Sequence, residues 1–95
     1  MIIGMVIGNV WATRKEESLN GLKWMIVRRL DLADGKQYES FAAADCVGSG
    51  IGEKVLVATG SAARKALRND DIPVDAAIVG ILDQVKDETR AGTES

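Results

Sequence analysis

The most constraining feature of this chain is a glycine-dense loop between two strand-like runs, within residues 45–66, DCVGSGIGEKVLVATGSAARKA. Glycine-rich loops that bind phosphate normally leave a strand and open a helix, so that the helix N-terminus faces the anion. Here the run after the loop, KVLVATG, is rich in valine and weakly alternating, which predicts a strand. We therefore interpret the glycines of this loop as residues that shape the backbone and not as a nucleotide-binding loop. They are Gly48, Gly50 and Gly52.

Length and composition predict one small domain that associates with other copies. The 95 residues are assigned to a single domain at residues 1–86 and a flexible, charged tail at residues 87–95. A chain this short buries only about 60–65% of its unfolded surface, so association is a common way to complete its core. Hydrophobic residues make up 46% of the chain and aromatic residues only 4%, which is typical of closely apposed strands rich in Val, Ile and Ala.

The absence of histidine excludes much chemistry. Without it the chain has no Ser/His/Asp or Cys/His pair and no imidazole metal ligand. The single cysteine, Cys46, is interpreted as an unreactive, buried or half-buried thiol. An enzyme would need an acid or base from Asp45, Glu53 or Asp83, and nothing in the sequence arranges them into a recognisable site. We expect no catalytic residue, no cofactor and no metal site.

Charge and hydropathy argue against nucleic acid and membrane partners. The net charge is −2 and the basic residues are scattered, so there is no basic footprint for nucleic acid. No stretch approaches the roughly 20 apolar residues of a membrane span. The apolar start, MIIGMVIGNVW, lacks the basic region and cleavage site of a signal peptide, so a cytoplasmic protein is expected.

Periodicity predicts five strands and one helix. The strands are expected at residues 2–13, 22–31, 37–45, 54–60 and 74–85. Gly4 and Gly8 in the first strand are expected to let the sheet curl. Ser61 is expected to cap a helix over residues 62–69, packed through Ala62, Ala66 and Leu67.

This element order predicts a mainly β protein, a small five-stranded OB-like β-barrel with one short helix between the fourth and fifth strands. The first and last strands are apolar on both faces, whereas a barrel interior takes only one face of each strand. We expect their outer faces to be buried against other subunits. Trp11 and Trp24 are interpreted as packing or interface residues.

Five ordered sequence blocks across residues 4–85 resemble a known family. They are GMVIGNVWATRK, the Leu19–Lys23 region, DCVGSGIGE, GSAAR and VDAAIVGILDQV. The chain is thereby similar to the EutN/CcmL family of bacterial microcompartment shell proteins, small pentamers that occupy shell vertices. Departures are mild: Ser49 stands where Ala is usual, Ala62 where Ser is common, and Leu82 where Val is common.

The resemblance implies a structural protein of a microcompartment shell, with itself as partner in a homopentamer and with hexameric shell proteins as neighbours. We expect the glycine loop (residues 47–53) and the turn at residues 60–64 to lie at or beside the subunit interface, or else to hold the loop structure within one subunit. The residues assigned to this role are Asp45, Val47, Gly48, Gly50, Gly52, Glu53, Gly60, Ser61, Arg64, Asp75 and Asp83. The alternative function is an OB-like module that binds single-stranded nucleic acid or another small ligand, although the chain has only two tryptophans, one tyrosine and one phenylalanine for stacking.

Overall fold

The computed structural model describes residues 1–10, 17, 21–30, 37–69 and 71–83. In this part of the chain the order of elements is β1 (Ile2–Val10), β2 (Trp24–Leu30), β3 (Gln37–Asp45), β4 (Lys54–Thr59), α1 (Ser61–Ala66) and β5 (Ala76–Leu82). The expected tail, Trp11 and the far end of the first predicted strand lie outside the described residues.

The five strands form a closed barrel in the order β1-β2-β3-β5-β4. All neighbouring pairs are antiparallel except β3 and β5, which run parallel and pair only at Ala44 with Ala77 and at Asp45 with Ile78. The short helix lies between the fourth and fifth strands. The predicted five-stranded OB-like barrel is confirmed.

Alternation along the strands sends one face of each into the barrel. The main core joins side chains from all five strands, namely Val6, Met25, Val27, Ala43, Val55, Val57, Ala76 and Ile78. A second, smaller cluster lies on the other face of β3 and contains Ala44, Ile72 and Val74, with Leu22, Trp24 and Leu67 packed against it. Trp24 is therefore a packing residue, as expected.

Gly4 lies where β1 and β2 approach each other closely. A Cβ atom on Gly4 would overlap Val27 Cγ1 and lie 2.9 Å from the carbonyl oxygen of Arg28. A Cβ on Gly8 would lie 3.6 Å from Ile26 Cδ1, which is ordinary contact. The β1–β2 register shifts between Val6 and Gly8, as at a β-bulge. Gly4 thus allows β1 and β2 to approach each other closely, whereas the shift in strand register lies beside Gly8.

The helix differs from its prediction at both ends. Gly60, not Ser61, is the N-cap residue, and no side chain caps the helix. Ser61 is instead the first residue of α1, and the helix ends at Ala66 rather than continuing to residue 69. Gly60 has φ 62° and ψ −137°, a conformation open to glycine and costly for residues with a side chain. Because glycine occupies the N-cap position, the serine hydroxyl is one residue too late to serve as the cap.

The face that α1 buries also differs from the expectation. Ala63 is fully buried and Leu67 is partly buried, whereas Ala62 and Ala66 are exposed. Leu67 therefore packs as expected, but the residue that shares its buried face is Ala63, four positions before it, and not Ala62 or Ala66.

Candidate functional site: the glycine loop and the Gly60 turn

Asp45 organises the first half of the glycine loop. Its Oδ1 accepts a hydrogen bond from the backbone N–H of Val47 at 3.1 Å, and its Oδ2 accepts one from Ser49 N–H at 2.9 Å. The Asp45 side chain is 1% exposed, and Lys23 Nζ lies 3.9 Å from Oδ2. Lys23 Nζ also donates to the carbonyl oxygen of Ser49 at 3.4 Å. These contacts hold the loop to the body of its own subunit.

Glu53 organises the second half of the loop. Its Oε1 accepts a hydrogen bond from Gly50 N–H at 2.6 Å, while Glu53 N–H donates to the Gly50 carbonyl oxygen at 3.1 Å. Gly52, with φ 92°, occupies the position of this turn where a positive φ is required. The backbone N–H of Gly52 donates to the Val6 carbonyl oxygen at 2.8 Å, which anchors the turn to β1.

The organisation of the loop turns its polar groups inward and its apolar groups outward. Ser49 is 1% exposed, and its hydroxyl has no hydrogen-bond partner among the residues that the structure describes. Ile51 and Val47 are instead 64% and 40% exposed, although both are large hydrophobic residues. Ile51 was not predicted as a site residue from the sequence. Its position between two glycines of a tight turn is the signal that predicts an exposed side chain.

Cys46 is exposed, so the expectation of a buried or half-buried thiol was wrong. Hydrogen bonding of Cys46 N–H to the Ile78 carbonyl oxygen continues the β3–β5 ladder but leaves the side chain at the surface. Partial desolvation, and then the negative charge of Asp45, raise the pKa of the thiol above its ordinary value. Since reactive cysteines have a lowered pKa, this is the environment of an unreactive thiol.

The turn at residues 60–64 is held to the start of β5. Gly60 N–H donates to the Asp75 carbonyl oxygen at 2.8 Å. Arg64 Nη1 donates to the Val74 carbonyl oxygen at 3.3 Å. The structure thus brings Gly60, Arg64 and Asp75 together, with Ser61 exposed beside them.

Strand β4 separates the two halves of the predicted site. The glycine loop precedes Lys54 and the Gly60 turn follows Thr59, so the two lie at opposite ends of β4. At about 3.3 Å per residue, this separation is roughly 17 Å along the strand. Asp83 follows β5 beside the loop end of β4, since Leu82 pairs with Lys54. The predicted residues therefore form two surfaces on one subunit and not one patch.

A groove beside the Gly60 turn was not found from the sequence. It has a volume of about 300 Å³ between the middle of β3 and the start of β5, and its apolar lining comes from Ile2, Phe41, Ala42 and Ala76. Asp75 lies at the same groove, and its carboxylate is exposed with no bonding partner in the described part of the chain. The groove depends on the short parallel pairing of β3 and β5, which no local sequence signal reveals.

Neither a metal centre nor a membrane helix is present in the part of the chain described. No three Cys, Asp or Glu side chains among those residues are grouped so that they could hold a metal ion. None of the described residues forms a helix with the length and apolar character needed to cross a bilayer.

With this geometry established, comparison with known proteins decides the family. Residues 1–83 match the sequence profile of the family described as "Ethanolamine utilisation protein EutN/carboxysome". The chain belongs to the EutN/CcmL family. It is 44% identical over 91 residues to the carboxysome shell vertex protein CcmL of Synechococcus elongatus. The matched residues cover 96% of this chain and 92% of that protein.

Solved structures of EutN/CcmL proteins share the fold as well as the sequence. The structure of Gloeobacter violaceus CcmL matches with a TM-score of 0.84 and 40% identity, over 93% of this chain and 91% of that one. The GrpN pentameric microcompartment shell protein from Rhodospirillum rubrum matches with a TM-score of 0.80 and 41% identity, over 92% of this chain and 100% of that one. The CcmL and GrpN relatives are named as shell vertex proteins.

Proposed function

We propose that this chain is a structural shell protein of a bacterial microcompartment, a homopentamer that caps the vertices of the polyhedral shell within the cytoplasm. The observation that carries the proposal is the match over nearly the whole fold to a pentameric shell protein, at 41% identity and a TM-score of 0.80. The function is geometric, because a flat layer of hexameric tiles closes into a polyhedron only when five-fold units occupy its corners.

Hexameric shell proteins of the same microcompartment are the proposed neighbours of the ring. The test is co-expression of those hexameric proteins with and without this chain, followed by electron microscopy. We expect closed polyhedral shells with the chain present and open sheets or tubes without it. Equal closure of the shells in both preparations would contradict the proposal.

The site residues are proposed to act in subunit assembly. Asp45 and Glu53 use their carboxylates within the subunit, which supports a role in shaping the loop that the subunit presents to its neighbour. Asp75 and Asp83 are exposed at opposite ends of β5, where their carboxylates are accessible to a partner. In a cyclic ring each interface joins two different patches, so two separated surfaces on one subunit suit this arrangement.

The alternative function, a nucleic-acid or small-ligand module, is favoured by no contact in the described residues. We propose that nucleic acid is not a partner. Fluorescence anisotropy with labelled single-stranded DNA at low salt is expected to show no binding. A rise in anisotropy that weakens as the salt concentration is raised would instead support the alternative.

A further inference from the structure

The two surfaces of the candidate site complement each other in shape. One is a protruding apolar turn, whose tip is Ile51, and the other is the groove of about 300 Å³ lined by Ile2, Phe41, Ala42 and Ala76. An exposed apolar side chain and an apolar groove elsewhere on the same molecule are the two halves of a head-to-tail contact between copies.

The loop is built to present Ile51 in one conformation. The turn is closed by the hydrogen bond from Glu53 N–H to the Gly50 carbonyl oxygen, and the Glu53 carboxylate accepts a second bond from Gly50 N–H. The anchor from Gly52 to β1 then fixes the turn against the barrel. A loop backbone held in this way loses little conformational freedom when a partner covers the turn, which favours binding.

The groove exposes apolar side chains and a strand edge that a neighbouring chain can cover. Phe41 and Ile2 are only partly buried, although both pack against the main core. The β3–β5 ladder contains only two residue pairs, so on this side the rest of β3 pairs with no described strand. The groove therefore combines incompletely covered apolar side chains with an open strand edge, and both gain from a partner.

The carboxylate at the groove has a possible ion-pair partner at the loop. Asp75 leaves an exposed carboxylate at the groove, with no bonding partner among the described residues. Lys54 at the base of the loop is exposed, whereas Lys23 pairs with Asp45 and the exposed Asp83 lies at the same end of β4. Lys54 can therefore form an ion pair with Asp75 when the apolar tip enters the apolar groove.

We infer that the Ile51 turn of one subunit inserts into the Asp75 groove of the next, as the repeating contact of the ring. The occupant of the groove is therefore a second copy of this chain. This inference rests on the proposed homopentamer and specifies which two surfaces meet. Covering Ile51 contributes more to this contact than the exposed charges do, since exposed ion pairs contribute little.

Disulfide trapping tests the contact directly. In a Cys46→Ser background, the pair Ile51→Cys with Ala42→Cys is oxidised and run on a non-reducing denaturing gel. We expect a ladder of covalent species that ends at five copies. The matched control, Ile51→Cys with Ala66→Cys, places the second thiol on an exposed part of α1 that does not line the groove, and it is expected to give no ladder.

An independent variant tests the same contact without cysteine chemistry. Ile51→Asp is expected to weaken each interface by about 10- to 100-fold, judged from the burial of one large aliphatic side chain. Because Ile51 is exposed in the subunit, circular dichroism should show an unchanged fold. Ala66→Asp, a matched exposed position, should leave ring assembly unchanged.

The outcomes separate this inference from the proposed function. Intact five-fold rings in Ile51→Asp, without cross-links in the cysteine pair, would overturn the contact and leave the vertex function standing. Dimers from Ile51→Cys alone would show that two loops meet each other, which would also overturn it. A wild-type chain that forms no pentamer would overturn both.

Discussion

Ser49 offers the sharpest test of the loop structure, because its buried hydroxyl has no hydrogen-bond partner among the described residues. Ser49 is 1% exposed, so on folding its hydroxyl loses its hydrogen bonds to water and gains none from the described residues in return. Such an orphaned polar group costs about 1–3 kcal/mol. Its own N–H and carbonyl oxygen are already bonded to Asp45 and Lys23, so Ser49→Ala removes the hydroxyl and keeps the rest of the loop.

The Ser49→Ala variant should therefore be more stable than the parent chain. For a domain of this size, each kcal/mol raises Tm by about 4–8 °C. The measurement is thermal unfolding at one fixed protomer concentration, since assembly makes Tm depend on concentration. Ser40→Ala is the control, because Ser40 is exposed in β3 and is not among the assigned interface residues, and its Tm should not change measurably. An unchanged or lowered Tm for Ser49→Ala would refute the assignment of an unpartnered hydroxyl.

Three further changes test the strand packing, the loop and the thiol. Gly4→Ala should lower the free energy of unfolding, measured by chemical denaturation, by about 1–3 kcal/mol through overpacking, and Gly8→Ala should lower it by clearly less. Equal losses for the two variants would contradict the close approach at Gly4. Asp45→Ala should destabilise the fold by about 1.5–3 kcal/mol through loss of two charge-assisted hydrogen bonds, and the exposed control Asp71→Ala should have no measurable effect. Alkylation of Cys46 should require a higher pH in the native protein than in the urea-unfolded chain, because the thiol pKa is raised on folding. If the pH at which the alkylation rate is half-maximal is the same or lower in the native protein, the native environment activates the thiol and the reasoning is refuted.

Periodicity determined the strands more accurately than the helix. β3 was predicted residue for residue, since an Asp-Gly turn signal precedes it in the sequence and the glycine loop follows its last residue, Asp45. The helix start was misplaced because Ser61 is a good capping residue by composition, yet Gly60 takes the N-cap with a backbone conformation that the sequence does not display. Residue type alone could not choose between two adjacent candidates.

Long-range pairing limited the prediction of the site. The glycine loop and the Gly60 turn were both assigned to the subunit interface from the family resemblance, but the sequence did not show that β4 holds them at opposite ends as two separate surfaces. The groove required knowledge that β3 and β5 pair in parallel over only two residues. Neither feature follows from local propensity, because strand pairing joins residues far apart in the chain.

Native mass spectrometry of the purified chain at micromolar concentration tests the central claim most directly. The proposed vertex function predicts a dominant species of five copies, with no accumulation of open oligomers of other sizes. A monomer or a dimer as the dominant species would contradict it.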